Sequence, residues 1–518
     1  MMKNILLYIS IVLLSFCTSC SDQYLEIFPE DKITTANFPQ NEADIKLTLN
    51  GVYALLRESA IYNEGLFGFG VLDGATPNAF NWGNFPITKL GNGQLSATDA
   101  DIITFRWTRC YAIIFRANYL LKALEQVKLP DAAKNIYKGE AHFLRGLAYS
   151  LLADAYGGVP ITNTSLSTDE AREIPRATKE ATWSQVIADY DVAIQNLGIK
   201  APEIGRADKG AALGLKMRAY LYQNNYEKVL EVSQQIEALN KYALFPSYEG
   251  LFKQENENNS EVLFDVQYIS GENSQGSFHD QFCGTGTGSF TRGSRYVPTD
   301  NLVDAYETID GSPVDNANKF KNRDPRLEFT VVIPGSYILG FRFPNYLYPG
   351  GAFNHPGNRL KHLSARKYRE NQLANLPTSG QSAINNIVLR YADVLLAKAE
   401  ALIELNKNID EAIGIINRIR TERKDVKITS IPTGLSQSEA RIRLRKERRI
   451  EFALEGLYWS DIKRWNIGKD IYPVVVKDHL GGVIETKFPN GYLDYYNLLP
   501  IPVSELSLNP KLVQNPKW

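Results

Sequence analysis

The chain has 518 residues, 44% hydrophobic and 22% charged, with 37 Gly and 24 Pro, which are ordinary globular values. A net charge of −1 lacks the basic excess of a protein that reads phosphate backbones, so nucleic acid is not an expected partner. At roughly 150 residues per domain the length allows about three units or one large helical body.

At the N-terminus, Lys3 precedes an apolar run from Ile5 to Phe16, too short to cross a bilayer as a helix but the length of a signal-peptide core. The run closes on Cys17-Thr18-Ser19-Cys20, small residues before a cysteine, which resembles a lipobox. The expectation is a signal peptide over 1–19, cleavage before Cys20 and a lipid on its thiol; an ordinary secretory signal with an incidental cysteine is the alternative. Cys110, inside an apolar helical pattern, reads as a small core residue. Whether it pairs with Cys283 is not fixed by spacing.

A polar tether over 24–38 leads to a first helix over 41–58, with Ile45, Leu49, Val52 and Leu56 on one side. Residues 65–93 then carry seven glycines and no helical period; loops this long in a compact domain are commonly functional. Helices resume at Asp99 and run, with interruptions, to about Leu239. One spans Glu140 to Tyr156 and stops at Gly157-Gly158 and Pro160. Another spans Thr182 to Leu197. Over 209–239, Ala212, Leu215, Ala219 and Tyr222, then Tyr226, Val229, Leu230 and Ser233, form a helix pair of tetratricopeptide type.

Residues 245–380 are irregular, with a short strand expected over 261–268 and glycine-aromatic loops over 271–298 and 340–357. The paired-helix plan returns over 385–421, striped by Val388, Tyr391, Ala392, Leu395, Ala399 and Leu402. There Asn408 is placed to cap a helix together with Glu411. From Glu439 to Trp465, Ile450, Ala453, Leu454, Leu457 and Tyr458 fall on one helical face. Glu447, Arg448, Arg449, Glu451 and Glu455 are spaced for ion pairs around that face. Such an element suits other helices packing around it, although a run of this charge is usually a solvated or ion-paired face.

No catalytic residue, metal ligand set or cofactor motif emerges. The five histidines show no paired metal spacing, and His142, within a helix, reads as structural. Gly284 to Ser289 misses both phosphate-loop patterns and reads as flexibility. Two carboxylates acting as a glycosidase pair stay open, since only their separation in space would tell. The distinctive feature is aromatics, amides and charges gathered in glycine-rich loops. A pyranose ring stacks its C–H face on an aromatic ring, while its hydroxyls need Asp, Asn and Arg partners around the rim. The candidate ligand set is Asp73, Asn78, Phe80, Trp82 and Asn84 in the first loop with Arg292 and Tyr296 in the second. Trp82 and Phe80 could equally plug their loop onto the helical body, and Tyr296 also has a structural reading.

Several segments carry a resemblance. Residues 447–465 read ERRIEFALEGLYWSDIKRW; residues 140–161 combine the Glu140 helix with Gly157-Gly158-Val159-Pro160-Ile161; Val297 to Asp315 and Arg323 to Leu327 follow. The tail adds Leu499-Pro500-Ile501-Pro502, Glu505-Leu506, Asn509-Pro510 and Gln514-Asn515-Pro516. Together these resemble the SusD/RagB family, outer-membrane glycan-capture lipoproteins of Bacteroidetes. Ser21, Asp22, Gln23 and Glu26 resemble the acidic tract that directs such lipoproteins to the cell surface. The resemblance implies a mainly α fold, a tetratricopeptide-like superhelix of helix pairs with an irregular loop-rich subdomain carrying short strands. It implies an N-terminal region over 20–240 with a binding-loop insertion near 65–93. A C-terminal region over 241–518 would be loop-rich over 245–380, helical over 385–466 and extended over 467–518. It further implies a non-catalytic surface protein that binds an oligosaccharide or polysaccharide, partners a SusC-like TonB-dependent transporter and needs no cofactor. A secreted glycan hydrolase, a peptide binder and a helical scaffold without small ligand are the alternatives.

Overall fold

A computed structural model describes residues 38–58, 60–63, 70–81, 86–270, 276–277, 296–333, 335–338, 341–342, 363–369, 381–477 and 481–518. Its main helices are α1 (Glu42–Ala54), α2 (Ala100–Gln126), α3 (Asp131–Tyr156), α4 (Lys179–Asn196), α5 (Lys209–Tyr222), α6 (Tyr226–Ala238), α7 (Tyr391–Glu404), α8 (Ile409–Thr421), α9 (Gln437–Glu451) and α10 (Tyr458–Arg464). From α1 to α8 each packs on the one before it, and α9 packs on α7 and α8. α6 and α7 are direct neighbours although the whole irregular segment separates them in sequence. The fold is a succession of helix pairs of tetratricopeptide type, and the loop-rich subdomain is an excursion between two of them.

The helices form where the periodicity places them. α5 buries Ala212, Leu215 and Ala219, and α6 buries Val229, Val232 and Ile236; each fully buried Val, Leu or Ile stabilises the pair by about 1.5–3 kcal/mol. Side-chain caps satisfy the orphan amides: Asn41, Thr178, Asp208 and Asn225 begin α1, α4, α5 and α6, and Ser436 with Glu439 makes a full capping box on α9. Asn408 accepts from the Glu411 amide at 3.3 Å, and its Nδ2 donates to the Glu411 carboxylate at 2.9 Å. His142 Nδ1 lies 2.7 Å from Asp189, which also takes Arg145, so it serves as a tie between α3 and α4. Cys110 is a buried free thiol on α2, and burial pushes its pKa up to about 12.

After α3 the chain turns tightly beneath the segment that leads into α4. A Cβ on Gly158 would stand 2.0 Å from the Ala177 carbonyl oxygen and 2.9 Å from the Thr178 carbonyl carbon. These are backbone atoms, which cannot yield as a flexible side chain does. Gly158→Ala is therefore expected to lower the unfolding free energy by ~3 kcal/mol, the upper end of ordinary overpacking. Urea denaturation reads this directly, and a midpoint equal to wild type would refute it.

The strands form two-stranded antiparallel sheets. β1 (Ala79–Asn81) pairs with β3 (Tyr296–Pro298), and β2 (Val262–Val266) pairs with β8 (Asn386–Arg390), which runs straight into α7. β4 (Val331–Val332) pairs with β7 (Ser364–Ala365), and β5 (Tyr337–Ile338) pairs with β6 (Phe341–Arg342). The strand expected over 261–268 is trimmed at both ends. Within it, Asp265 accepts from two neutral donors, Gln267 Nε2 at 2.6 Å and Asn385 Nδ2 at 3.1 Å, and burial pushes its carboxyl up to about 6 from 3.8. A carboxyl raised in the folded state contributes stability that is present below about pH 3.8 and lost as the pH rises through about 6. Asp265→Asn is expected to abolish that pH dependence, at the cost of one of the two accepted hydrogen bonds, about 0.5–1.5 kcal/mol. Unfolding measured from pH 4 to 8 tests it; a variant that keeps the wild-type fall in stability between pH 4 and 7 would sink it.

α9 departs from expectation. The apolar face from Ile450 to Tyr458 is not one helix, because α9 ends at Glu451 and α10 restarts at Tyr458. The Glu451 carbonyl accepts from Tyr248 Oη and Arg390 Nη2, both at 2.8 Å, in place of an amide further along the helix. Leu454 and Gly456 then take positive φ, 65° and 77°, to turn the chain. Ile450, Ala453, Leu454, Leu457 and Tyr458 are buried all the same.

The charges of α9 divide: Arg441, Arg443 and Lys446 form a partly exposed, ion-paired face, whereas Glu447, Arg448 and Glu451 are buried at the centre of the fold. Glu451 accepts from Arg390 at 2.7 Å, Arg326 at 2.8 Å and Arg423 at 2.9 Å. Arg326 also bonds Asp324 and Glu447, Arg448 bonds Asp393 and Asp461, and Arg464 bonds Glu400 and Asp461. Burial alone would raise the Glu451 carboxyl, but Arg423, Arg390 and Arg326 outweigh it and hold the group well below the usual carboxylate range.

Candidate functional site

The first glycine loop is fastened to this ionic centre. Arg449, on α9 beside the hub, donates from Nε to Asn78 Oδ1 and from Nη2 to Asn301 Oδ1, both at 2.7 Å, and its guanidinium lies 5.1 Å from the centre of the Tyr458 ring. Asp73 Oδ2 accepts from the Gly456 amide at 3.3 Å, in the turn between α9 and α10. From the tail, Lys487 Nζ reaches the Gly74 carbonyl at 2.6 Å and Tyr472 Oη the Ala75 carbonyl at 2.9 Å. The Thr299 amide reaches the Asn78 carbonyl at 3.0 Å, while its hydroxyl bonds Pro77. A glycine-rich segment with little side-chain bulk is thus made rigid by side chains from elsewhere.

The β1/β3 ladder joins the first and second loops. Ala79 faces Pro298, Phe80 faces Val297 and Asn81 faces Tyr296. Asn81 leads directly into 82–85, and Tyr296 is reached directly from 291–295. β7, which closes the third loop's stretch of chain, packs against β3. The first and second loops therefore meet on one small frame, and the strand that follows the third loop in the chain lies beside it. A frame that fixes where loops start is how a scaffold places a binding surface built of loops.

The candidate residues divide on this frame. Asp73 and Asn78 are fully buried, and Phe80 is 6% exposed. The contacts just described place Asp73 and Asn78 as internal ties of the loop, and Phe80 lies in the hydrophobic core. The Tyr296 backbone pairs with Asn81. Trp82, Asn84 and Arg292, together with Cys20, lie outside the described residues. The sequence reading did not single out Arg449, Tyr472 or Lys487 for this loop. Arg449 stood among the ion-pairing charges, and nothing local to it points to Asn78.

Among the described residues no group of three His, Cys, Asp or Glu could hold a metal ion, and no helix is long and apolar enough to cross a membrane.

Comparison with known proteins bears on the whole chain. Residues 260–518 match the model of the SusD family, and residues 23–221 match a SusD-like family described as starch-binding and associating with the outer membrane. A SusD-like protein of Formosa agariphila is 27% identical over 99% of this chain and 98% of its own. The starch-binding protein SusD of Bacteroides thetaiotaomicron is 24% identical over 97% and 96%. A crystal structure of a SusD-like carbohydrate-binding protein from Bacteroides fragilis superposes with a TM-score of 0.80 at 26% identity, covering 91% of this chain and 99% of that one. With one model covering half of the chain and a second covering most of the remainder, the chain belongs to the SusD family.

Proposed function

We propose that this protein captures oligosaccharides at the outer cell surface and passes them to a SusC-like TonB-dependent transporter, without cleaving them. The lipid on Cys20 holds it to the outer membrane. Trp82, Asn84, Arg292 and Tyr296 supply the stacking face and the rim of hydroxyl partners, and Asp73, Asn78 and Phe80 secure the platform beneath them. The observation that carries this reading is the convergence of glycine-aromatic loops on a frame bolted to the buried ionic centre, in a chain of the SusD family. The curated relative from Bacteroides thetaiotaomicron, named for starch binding, supports a glycan as cargo. Sugar stacking on open loops is weak per site, so tethering beside the transporter raises the effective concentration that makes capture useful.

Electrophoresis of the purified protein through gels containing a panel of polysaccharides tests the function. Retarded migration in at least one gel, with no new reducing ends released, is the expected result. Unretarded migration in every gel would count against a glycan cargo, and release of reducing ends would point to a hydrolase.

A further inference from the structure

We infer that a cavity between the C-terminal tail and the ends of four helices is a second binding site, for a sugar unit that carries a carboxylate. The cavity holds roughly 480 Å³, within the span of about 300–1,000 Å³ usual for small-ligand sites. Ala153 and Asp154 of α3, Lys179 and Trp183 of α4, Tyr222 of α5 and Lys463 of α10 form one side. The tail closes the other with Tyr495, Leu498 and Lys517. None of these residues belongs to the loop platform.

The tail wall is fixed. Asn515 Nδ2 donates to the Tyr156 carbonyl at 3.1 Å and to the Leu499 carbonyl at 2.7 Å, and the Leu499 amide donates to Ala155 at 2.7 Å. A ligand therefore meets walls already in place, which lowers the entropic cost of binding. Trp183 is 3% exposed, and its indole N–H finds no acceptor among the described residues. A buried donor left unpaired is costly, and an oxygen from a ligand in the cavity would relieve it. Trp183, Tyr222 and Tyr495 give the cavity the aromatic surface that suits the C–H face of a sugar ring.

Charge selects the acid. Lys463 is balanced by Asp154 at 2.9 Å, Arg464 by Glu400 and Asp461, and Asp494 by Lys469 at 2.7 Å. Lys179 and Lys517 line the same cavity, are exposed, and have no acidic partner among the described residues. Two unbalanced ammonium groups, an unpaired indole donor and aromatic walls together match a ring bearing one negative charge.

Titrating the full chain with D-glucuronate, and with D-glucose as its neutral match, tests this by isothermal calorimetry. The expected result is saturable binding of glucuronate, at least tenfold tighter than glucose. The double substitution Lys179→Met with Lys517→Met should weaken glucuronate at least tenfold with an unchanged thermal midpoint, and Trp183→Phe should weaken it severalfold. Trp82→Ala should leave it unchanged, which separates this site from the loop platform. Absence of saturable glucuronate binding, equal affinity for the two sugars, or binding lost in Trp82→Ala and kept in the double variant would overturn the proposal.

Discussion

Replacing Glu451 by Ala is expected to lower the unfolding free energy by about 3–5 kcal/mol, a large part of the stability of a folded domain. The substitution removes the carboxylate shared by Arg326, Arg390 and Arg423, all of them fully buried. Arg326 and Arg390 keep other acids, Asp324 and Glu447 for the first, Glu261 and Glu455 for the second. Among the described residues Arg423 keeps only Glu261, and so it suffers most. Surplus positive charge in a low-dielectric interior costs more than the lost attraction, because the guanidinium groups stay removed from bulk water without the carboxylate that offset it. Glu451→Gln keeps the shape and one acceptor and should fall between wild type and Ala. The carboxyl is depressed in the folded state, so its contribution is present above its ordinary value of 4.5 and lost as the pH falls through the folded value. Acid unfolding of Glu451→Gln should accordingly be less steep below pH 4.5 than that of wild type. Denaturant titrations at pH 7 and below pH 4.5 read both effects; a loss under about 1 kcal/mol for Ala would remove Glu451 from the centre of the fold.

The ease with which parts of this architecture could be read follows the range of the interactions that make them. The α5–α6 pair is encoded within 31 residues by the 3.6-residue stripe, small side chains on one helix and a capping Asn on the other, and it forms as written. Glycine and aromatic composition is local and marks 65–93 as distinct, but the short helices over Gly70–Ala75 and Pro86–Gly91 and the strand Ala79–Asn81 inside it were not legible. Nor was the far end of each contact. Arg449 and Asn78 are 371 residues apart, and no period or motif joins them. The same holds for the return from α6 to α7. The charged run before Ile450 displays its ionic character plainly, yet whether such charges meet water or buried partners depends on Arg326, Arg390 and Arg423, which lie in other segments. The break after Glu451 escaped for a related reason: apolar spacing continues through it, and only the donors that claim the Glu451 carbonyl explain why the helix does not.

Trp82→Ala is expected to weaken binding of the polysaccharide that retards wild type by about 10- to 100-fold, with little change in unfolding midpoint. The estimate combines loss of buried apolar ring area with the geometric part of stacking, about 1.5–3 kcal/mol together, at about 1.4 kcal/mol per factor of ten. Trp82→Phe should recover part of the loss, since a smaller flat face remains, whereas Asn84→Ala should cost less than either because a rim hydrogen bond nets only about 0.5–1.5 kcal/mol. Arg449→Ala separates contact from support. Arg449 holds Asn78 four residues before Trp82, so its loss should weaken binding through the frame while also lowering stability, by about 1–3 kcal/mol for a charged hydrogen bond removed. The two variants therefore differ in their ratio of binding loss to stability loss, and that ratio is what affinity electrophoresis paired with thermal unfolding measures. If Trp82→Ala unfolds as Arg449→Ala does and the retained fraction binds like wild type, the ring is a plug for its loop. If it folds normally and loses the glycan, the platform has found its ligand face.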